Sequence, residues 1–507
     1  MATLPVLGEP RIVIVGAGIS GLAAAASLVS NGFRNVTVLE AMDRPGGRIH
    51  TIKPFGTNVI ELGANWIHGQ EGNPIYQLAM EHGLLAEEGT SITMCVPSSI
   101  TRQDYFFSQS GKQLPPEQVE QVCCYFSKLM SKAFDQELDV KYNLRSLGSY
   151  LDEEFKASDL ASSEDARKVF EWCKRSECTD EACSSLYEFS VGQLWLYTAL
   201  EGGFFNSVGS GGYQALLDVF LKSLSPGVLL CNKPVKCIQW GLSETSISFQ
   251  GACPVRVLCE DGQQLEADHV IVTASLGYLQ DNSSTMFKPV LPEEKMRAIE
   301  RLGFGVVSKI FLEFEKRFWP QDCAGIQLVW EEGPEDRKVY KSSLGDEGWK
   351  DKWYKKICGF DMVARHPNVL CGWITGREAE HMEGLEEKTV GEVCVRLLRS
   401  FTGWEVPDPL RVLMSQWRQN PYVRGAYTYI PLGVDAMREQ EALAEPLPLE
   451  SCDSISKPLQ VLFAGEATHV QFYTTTHGAY LTGVREAQRI IQHYSDRLHS
   501  PNGERAS

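Results

Sequence analysis

Residues 11–40 read RIVIVGAGISGLAAAASLVSNGFRNVTVLE: a β-branched apolar run, a glycine-rich turn, an alanine-rich run, and a second apolar run that ends on an acid. Arg11 to Val15 predicts a short buried strand, Ile19 to Ser30 a helix and Asn35 to Glu40 a second strand, which together make a βαβ unit. The turn from Gly16 to Gly21 fills GxGxxG directly after the strand and at the head of the helix. In that setting Gly16 permits the tight turn, Gly18 lets backbone approach a pyrophosphate, and Gly21 lets the helix pack on the strand. The helix N-terminus offers free N–H groups and a partial positive charge to phosphates. Glu40, twenty-four residues after Gly16, is placed to accept both hydroxyls of an adenosine ribose. Ile12 to Phe33 is uncharged and long enough to mimic a membrane span, but its glycines and its change from β-branched to alanine-rich read as strand into helix.

Six residues past Glu40 comes Gly46-Gly47-Arg48, a second flexible turn whose cation suits a diphosphate. Farther out, the pattern turns helical from Pro115 to about Ser210, and short strands return at Val235–Trp240, Val255–Cys259, Val270–Thr273 and Val306–Glu315. Val461 to Phe463 predicts one more buried strand, and Gly478 to about Tyr494 an amphipathic helix. Strand-rich pieces at the start, middle and end predict a discontinuous Rossmann-like domain of residues 1–95, 205–285 and 445–497. A second, α+β substrate domain takes 96–204 and 286–444, and 498–507 reads as a flexible tail.

The chain has 507 residues, 43% of them apolar, enough for two domains. Its 48 basic and 65 acidic residues leave a net charge of −17 with no basic block, which excludes a nucleic-acid partner. The fifteen cysteines are odd in number and lack CxxC spacing, so a reducing compartment is expected. The opening Met-Ala-Thr-Leu-Pro lacks a basic signal region, no membrane anchor is read, and the final Arg-Ala-Ser poorly matches a peroxisomal Ser-Lys-Leu-type address. The cytoplasm is therefore the expected location. No metal constellation is present, and no HExxH or GxSxG.

The dinucleotide turn, the strand-ending Glu40 and Gly46-Gly47-Arg48 resemble the opening of the flavin-dependent amine oxidase family. The resemblance continues through Glu61-Leu-Gly-Ala-Asn-Trp-Ile-His68-Gly69, Lys233-Pro-Val235-Lys-Cys-Ile238, Lys309-Ile-Phe-Leu-Glu313, Trp417 to Tyr427, Phe463-Ala-Gly-Glu466-Ala-Thr468 and Thr475-Thr476-His477-Gly478. It is closest to the animal polyamine oxidases, acetylpolyamine and spermine oxidases. The resemblance implies a two-domain fold, non-covalent FAD, and oxidation by O2 of the carbon beside a secondary amine of spermine or an N1-acetylated polyamine, with release of hydrogen peroxide. It also implies that Ser20, Glu40, Arg48, Asn65, Trp66, Val235, Trp417, Glu466, Thr475 and Thr476 contact FAD. Lys309 falls where the family holds a water against flavin N5, His68 beside the reacting centre, and Tyr427 over the flavin face. On alternation alone, Lys309 is equally a solvated edge residue, and His68, Trp417 and Tyr427 are ordinary core residues.

Glu177, in Ser-Glu-Cys-Thr, matches an acid that in the family anchors a distal amine, or is a surface carboxylate. Val307 stands where acetylpolyamine oxidases carry a polar residue at the acetyl end, which counts against an acetyl preference. Ala426 replaces the flavin-linking cysteine of the monoamine oxidases, and Thr475 replaces their second sandwich tyrosine. Two other readings share the fold: a histone-lysine demethylase, and a flavin-free Rab-escort or GDP-dissociation-inhibitor type binding module. Nothing in these motifs fixes the oligomeric state.

Overall fold

Four consecutive apolar β-branched residues leave no side of a strand for water, and Ile12–Val15 (β1) lies at the centre of a five-stranded, all-parallel sheet. Across that sheet run Val461–Phe463, His269–Val272, β1, Val36–Leu39 (β2) and Leu229–Leu230. Strands far apart in the chain are therefore neighbours. The computed structural model describes residues 9–86, 103–135, 144–242, 253–331, 347–449 and 457–499. Helix Ile19–Ser30 (α1) has the bounds its sequence predicts, and its alanines let it press against the final helix, Thr476–His499. A Cβ on Gly483 would lie 2.0 Å from Ser20 O, so this crossing admits only glycine.

That final helix begins two residues before the predicted Gly478, because the Thr475 hydroxyl accepts the Gly478 N–H and caps it. It runs through His499, two residues into the expected tail; 500–507 lie outside the described residues.

A second sheet of six strands has the order Arg411–Met414, Val307–Glu313, Val369–Thr375, Gly359–Met362, Cys323–Val329 and Gln103–Ser108. Ile310, Leu312, Leu370, Ile374 and Phe360 fill one of its faces against helix Glu387–Thr402, while Lys309 and Trp373 belong to the opposite face. Strand Val307–Glu313 is buried along its whole length between two neighbours, so Lys309 is not an edge residue in water. Alternation cannot distinguish a strand with one wet face from one covered on both sides. Helices Pro116–Ala133 and Glu164–Asp180 pack together beside this sheet. A smaller sheet of Gln264–Ala267, Val255–Cys259, Val235–Gln239 and Phe287–Lys288 carries Val235 to the first sheet's edge.

Candidate active site

One cavity of about 520 Å³ starts at the glycine turn after β1, passes between the two larger sheets and ends at the last turn of helix Glu164–Asp180. Gly16, Gly18, Ser20, Glu40, Arg48, Asn65, Trp66, His68, Glu177, Val235, Val307, Lys309, Trp417, Tyr427, Glu466, Thr475 and Thr476 all line it. Gly21 does not: a Cβ there would meet Gly16 O at 2.0 Å, so it serves the packing of α1 on the turn.

At the nucleotide end, the backbone of Gly16 has φ +105, which suits glycine, and no side chain caps α1. Glu40 is buried, with Oε2 accepting the Ala17 N–H at 2.8 Å and Oε1 the Met42 N–H at 2.9 Å. It thus ties β2 to the turn and keeps a lone pair on each oxygen. Burial pushes its carboxyl up, against the pull of those N–H groups. Arg48 and Glu466, separate motifs in the sequence, form one ion pair at 2.8 Å. Arg48 Nη1 also donates to Ala426 O at 2.8 Å, and Glu466 accepts from Thr428 Oγ1 at 3.1 Å and Thr474 N at 2.9 Å. The Trp417 indole donates to Leu62 O at 3.0 Å.

At the waist, Lys309 Nζ donates to Glu61 O at 2.9 Å and Gly63 O at 2.7 Å, which leaves one ammonium donor. Burial lowers its pKa to about 8, against the opposite pull of Cys371 and Glu61. The Trp373 ring centroid lies 4.8 Å from Nζ, and Trp373 stacks on Trp66 at 5.8 Å. His68 packs against Phe204 and Phe205 and is pushed down to about 4 by burial, so its ring is neutral at pH 7. Tyr427 donates its hydroxyl to Thr179 O at 2.8 Å, and Val307 packs with Ala182 and Ala426 beside it. The Thr475 hydroxyl is engaged in its helix cap, and the Thr476 hydroxyl lies 2.9 Å from Tyr213 OH.

The far end is acidic. Glu177, Asp180 and Glu181 line it opposite Met130 and Phe134, at the negative end of their helix. Glu177 is therefore a cavity carboxylate and not an outer-surface one. Asp180 is an exposed residue of the cavity lining; the surrounding protein pushes its carboxyl to about 7, Glu181 to about 8 and Glu177 well up, with mutual repulsion adding for the two glutamates. A bound cation reverses that, because it favours the ionised form.

Asp180, Glu181, Trp373 and Tyr473 line the cavity without having been singled out in the sequence. Asp180 and Glu181 follow Glu177 at helical spacing, which was a usable signal; Trp373 is found only through its register opposite Lys309. Among the described residues, no group of three or more His, Cys, Asp or Glu is arranged to hold a metal, and no helix is long and apolar enough to cross a membrane.

The nucleotide end and waist fit FAD. Ser20 Oγ, Trp66 Nε1 and His68 Nδ1 are buried polar atoms at the cavity wall without a partner, and a Cβ on Gly18 would meet nothing closer than 4.0 Å. Residues 19–491 match the family model described as flavin containing amine oxidoreductase. The chain is 38% identical to the human peroxisomal N(1)-acetyl-spermine/spermidine oxidase, over 97% of each chain. It is 32% identical to the Arabidopsis thaliana probable polyamine oxidase 5, over 96% of this chain and 99% of that protein. Its fold matches that of putrescine oxidase bound to putrescine with a TM-score of 0.68, over 95% of this chain and 99% of the other, at 20% identity. The chain belongs to the flavin-containing amine oxidoreductase family: it is an FAD-dependent amine oxidase with a two-domain α/β fold.

Proposed function

We propose that the protein is a polyamine oxidase acting on spermine or an N1-acetylated polyamine at the carbon beside a secondary amine. The observation that carries this reading is the single cavity joining a dinucleotide cradle, through an aromatic waist, to three carboxylates. A long cation with separated amines fits that charge pattern, whereas a compact arylalkylamine leaves the acidic end unmatched. Held by the residues named below, FAD would supply the redox chemistry, a two-electron oxidation of that carbon at the expense of O2. Water then cleaves the imine, so that amine, O2 and H2O become a shorter polyamine, an aminoaldehyde or acetamidoaldehyde, and H2O2.

The chain's own residues divide this work. Gly16, Gly18, Ser20 and Arg48 hold the pyrophosphate region, Glu40 the adenosine ribose and Val235 the adenine through its backbone. Asn65, Trp66, Trp417, Glu466, Thr475 and Thr476 surround the ribityl chain and the ring. Glu177, with Asp180 and Glu181, holds the distal ammonium. At the waist the reacting nitrogen meets Tyr427, neutral His68 and the Lys309 cation, an environment that disfavours a second positive charge and so favours the neutral amine the reaction needs. Val307, apolar and packed, offers no polar contact to an acetyl group. We further propose the division into residues 1–95, 205–285 and 445–497 against 96–204 and 286–444, which limited proteolysis tests. The cytoplasm remains our proposed location, to be tested by imaging an internally tagged chain, with the peroxisome as the competing result.

The deciding experiment is anaerobic addition of spermine and then N1-acetylspermine to the purified yellow protein, followed by absorbance. Bleaching of the flavin bands, faster with spermine, is expected; bands that persist with both amines would overturn the substrate reading.

A further inference from the structure

One face of the six-stranded sheet carries a polar row leading away from the waist. The register sets Lys309 opposite Trp373, Phe311 opposite Cys371, Cys371 opposite Asp361, Asp361 opposite Gly325 and Gly325 opposite Asp104. Because side chains alternate along each strand, all of these share the face that Lys309 presents to the cavity. Gln327 Nε2 donates to Asp361 Oδ1 at 3.0 Å, and the Gln327 amide and the Asp104 carboxylate both lie against Gly325. The Trp373 side chain and the Asp361 carboxylate border one small cavity, and the indole N–H, the only donor Trp373 has, is placed to lower the carboxyl's pKa. A Cβ on Gly325 would lie 2.7 Å from Asp104 Oδ1 and 2.8 Å from Asp361 Oδ1, so the row has room only because that position is glycine.

Carboxylates on an inward sheet face need a reason to be there. We propose that Asp361 is a positioning residue of the amine oxidase site: its carboxylate fixes the Trp373 indole, and that indole holds the Lys309 ammonium and the Trp66 ring at the waist. An indole anchored by its N–H at one edge cannot turn about its long axis, so its electron-rich face stays toward Nζ at 4.8 Å. The Glu61 and Gly63 carbonyls set the ammonium from another side. Asp361 and Lys309 also border a second, smaller cavity of about 70 Å³ together with Glu61, Trp373 and Cys371, room for about two waters to solvate the carboxylate. Asp104 from the neighbouring strand, Asp180 from the helix above and Cys371 from the adjoining strand are the other titratable groups facing it. The consequence for turnover rests on the proposed role of Lys309; the geometric claim does not.

The test uses flavin-loaded protein with ¹⁵N-labelled tryptophan, comparing D361N, D361L and W373F. The chain has eleven tryptophans, and W373F identifies the Trp373 indole resonance by its loss. Asparagine retains an acceptor oxygen, so D361N is expected to leave that resonance near its wild-type position and kcat within about threefold. D361L is expected to move the resonance and lower kcat roughly 10- to 100-fold, the range for a catalytic group displaced by about an ångström, with the amine KM little changed. In the W373F background both Asp361 substitutions should add little. An unmoved resonance in D361L, or D361N as impaired as D361L, would overturn the proposal. If D361L does not fold, D361N costing the same with and without W373F would overturn it as well. A wild type that no polyamine reduces removes the substrate reading but leaves the resonance test standing.

Discussion

Replacing Lys309 with methionine measures what a buried ammonium costs this fold. The residue is 4% exposed, and burial takes its pKa from an ordinary 10.5 to about 8. At about 1.4 kcal/mol per tenfold, keeping it charged at pH 7 costs roughly 3 kcal/mol. The sign follows from proton counting. The folded pKa is lowered, so between pH 8 and 10.5 the unfolded chain binds more protons than the folded one, stability rises with pH, and the cost is gone above 10.5. Methionine removes the charge but leaves the Glu61 and Gly63 carbonyls without their donor, at about 1 kcal/mol each. Lys309→Met is thus expected to be about 1 kcal/mol more stable than the wild type at pH 7 and about 2 kcal/mol less stable near pH 10.5. At roughly 2.1 cal/mol/K per residue over 507 residues, that 3 kcal/mol swing is about 3 °C in relative Tm, and more where the domain carrying Lys309 unfolds alone. Calorimetry of both proteins at one scan rate, from pH 7 to 10.5 with excess FAD, reads it directly. A Tm difference that stays flat, or that moves in the wild type's disfavour as pH rises, would refute the reasoning.

Glu466→Ala leaves Arg48 without its carboxylate and is expected to lose about 3 kcal/mol, the low end for a broken buried pair because Arg48 is 26% exposed; adding Arg48→Met should restore part of the Tm but not flavin binding. Glu40→Ala removes one charge-assisted bond to the turn at Ala17 and one to Met42 beyond β2, and FAD retention on dialysis is expected to fall at least about tenfold with little change in Tm. Glu177→Gln and Asp180→Asn should each raise the polyamine KM roughly tenfold and leave the kcat at saturation within about threefold; a loss confined to kcat would contradict their assignment as an ammonium anchor. Because Asp180 and Glu181 are pushed up to about 7 and about 8, they lose protons as pH rises from 6 to 8, so the polyamine Kd of the oxidised protein under anaerobic conditions is expected to tighten over that window and to do so less in Asp180→Asn.

The nucleotide half of the protein was legible because its chemistry is local. One turn, one strand and one terminal acid occupy thirty consecutive residues, and α1 keeps its predicted bounds. What the sequence could not show are relations between distant segments. Arg48 and Glu466 were each expected to face the cofactor, yet they are 418 positions apart and bonded to each other. Lys309 reads as a half-solvated strand residue until its two neighbouring strands are known. Glu177 reads as either an amine anchor or a surface carboxylate until its helix packs and sets it on the cavity wall, and Trp373 carries no signal without the register that sets it beside Lys309. Residue type and short-range spacing carry the first kind of information; only tertiary contact carries the second.

The parallel sheet begun by Ile12–Val15 is completed on one edge by Val461–Phe463, and Glu466, Thr475 and Thr476 come only after that strand. At a synthesis rate of roughly 5–20 residues per second, the Glu40 half of the cradle leaves the ribosome some 20–90 s before the half that holds Arg48. Through that interval the nascent chain has half of a cofactor site, with α1 lacking the helix that covers it. Capture of FAD is in this way a completeness check: a product truncated before Val461 has no Glu466 carboxylate for Arg48 and no closing helix, and it is expected to be isolated colourless.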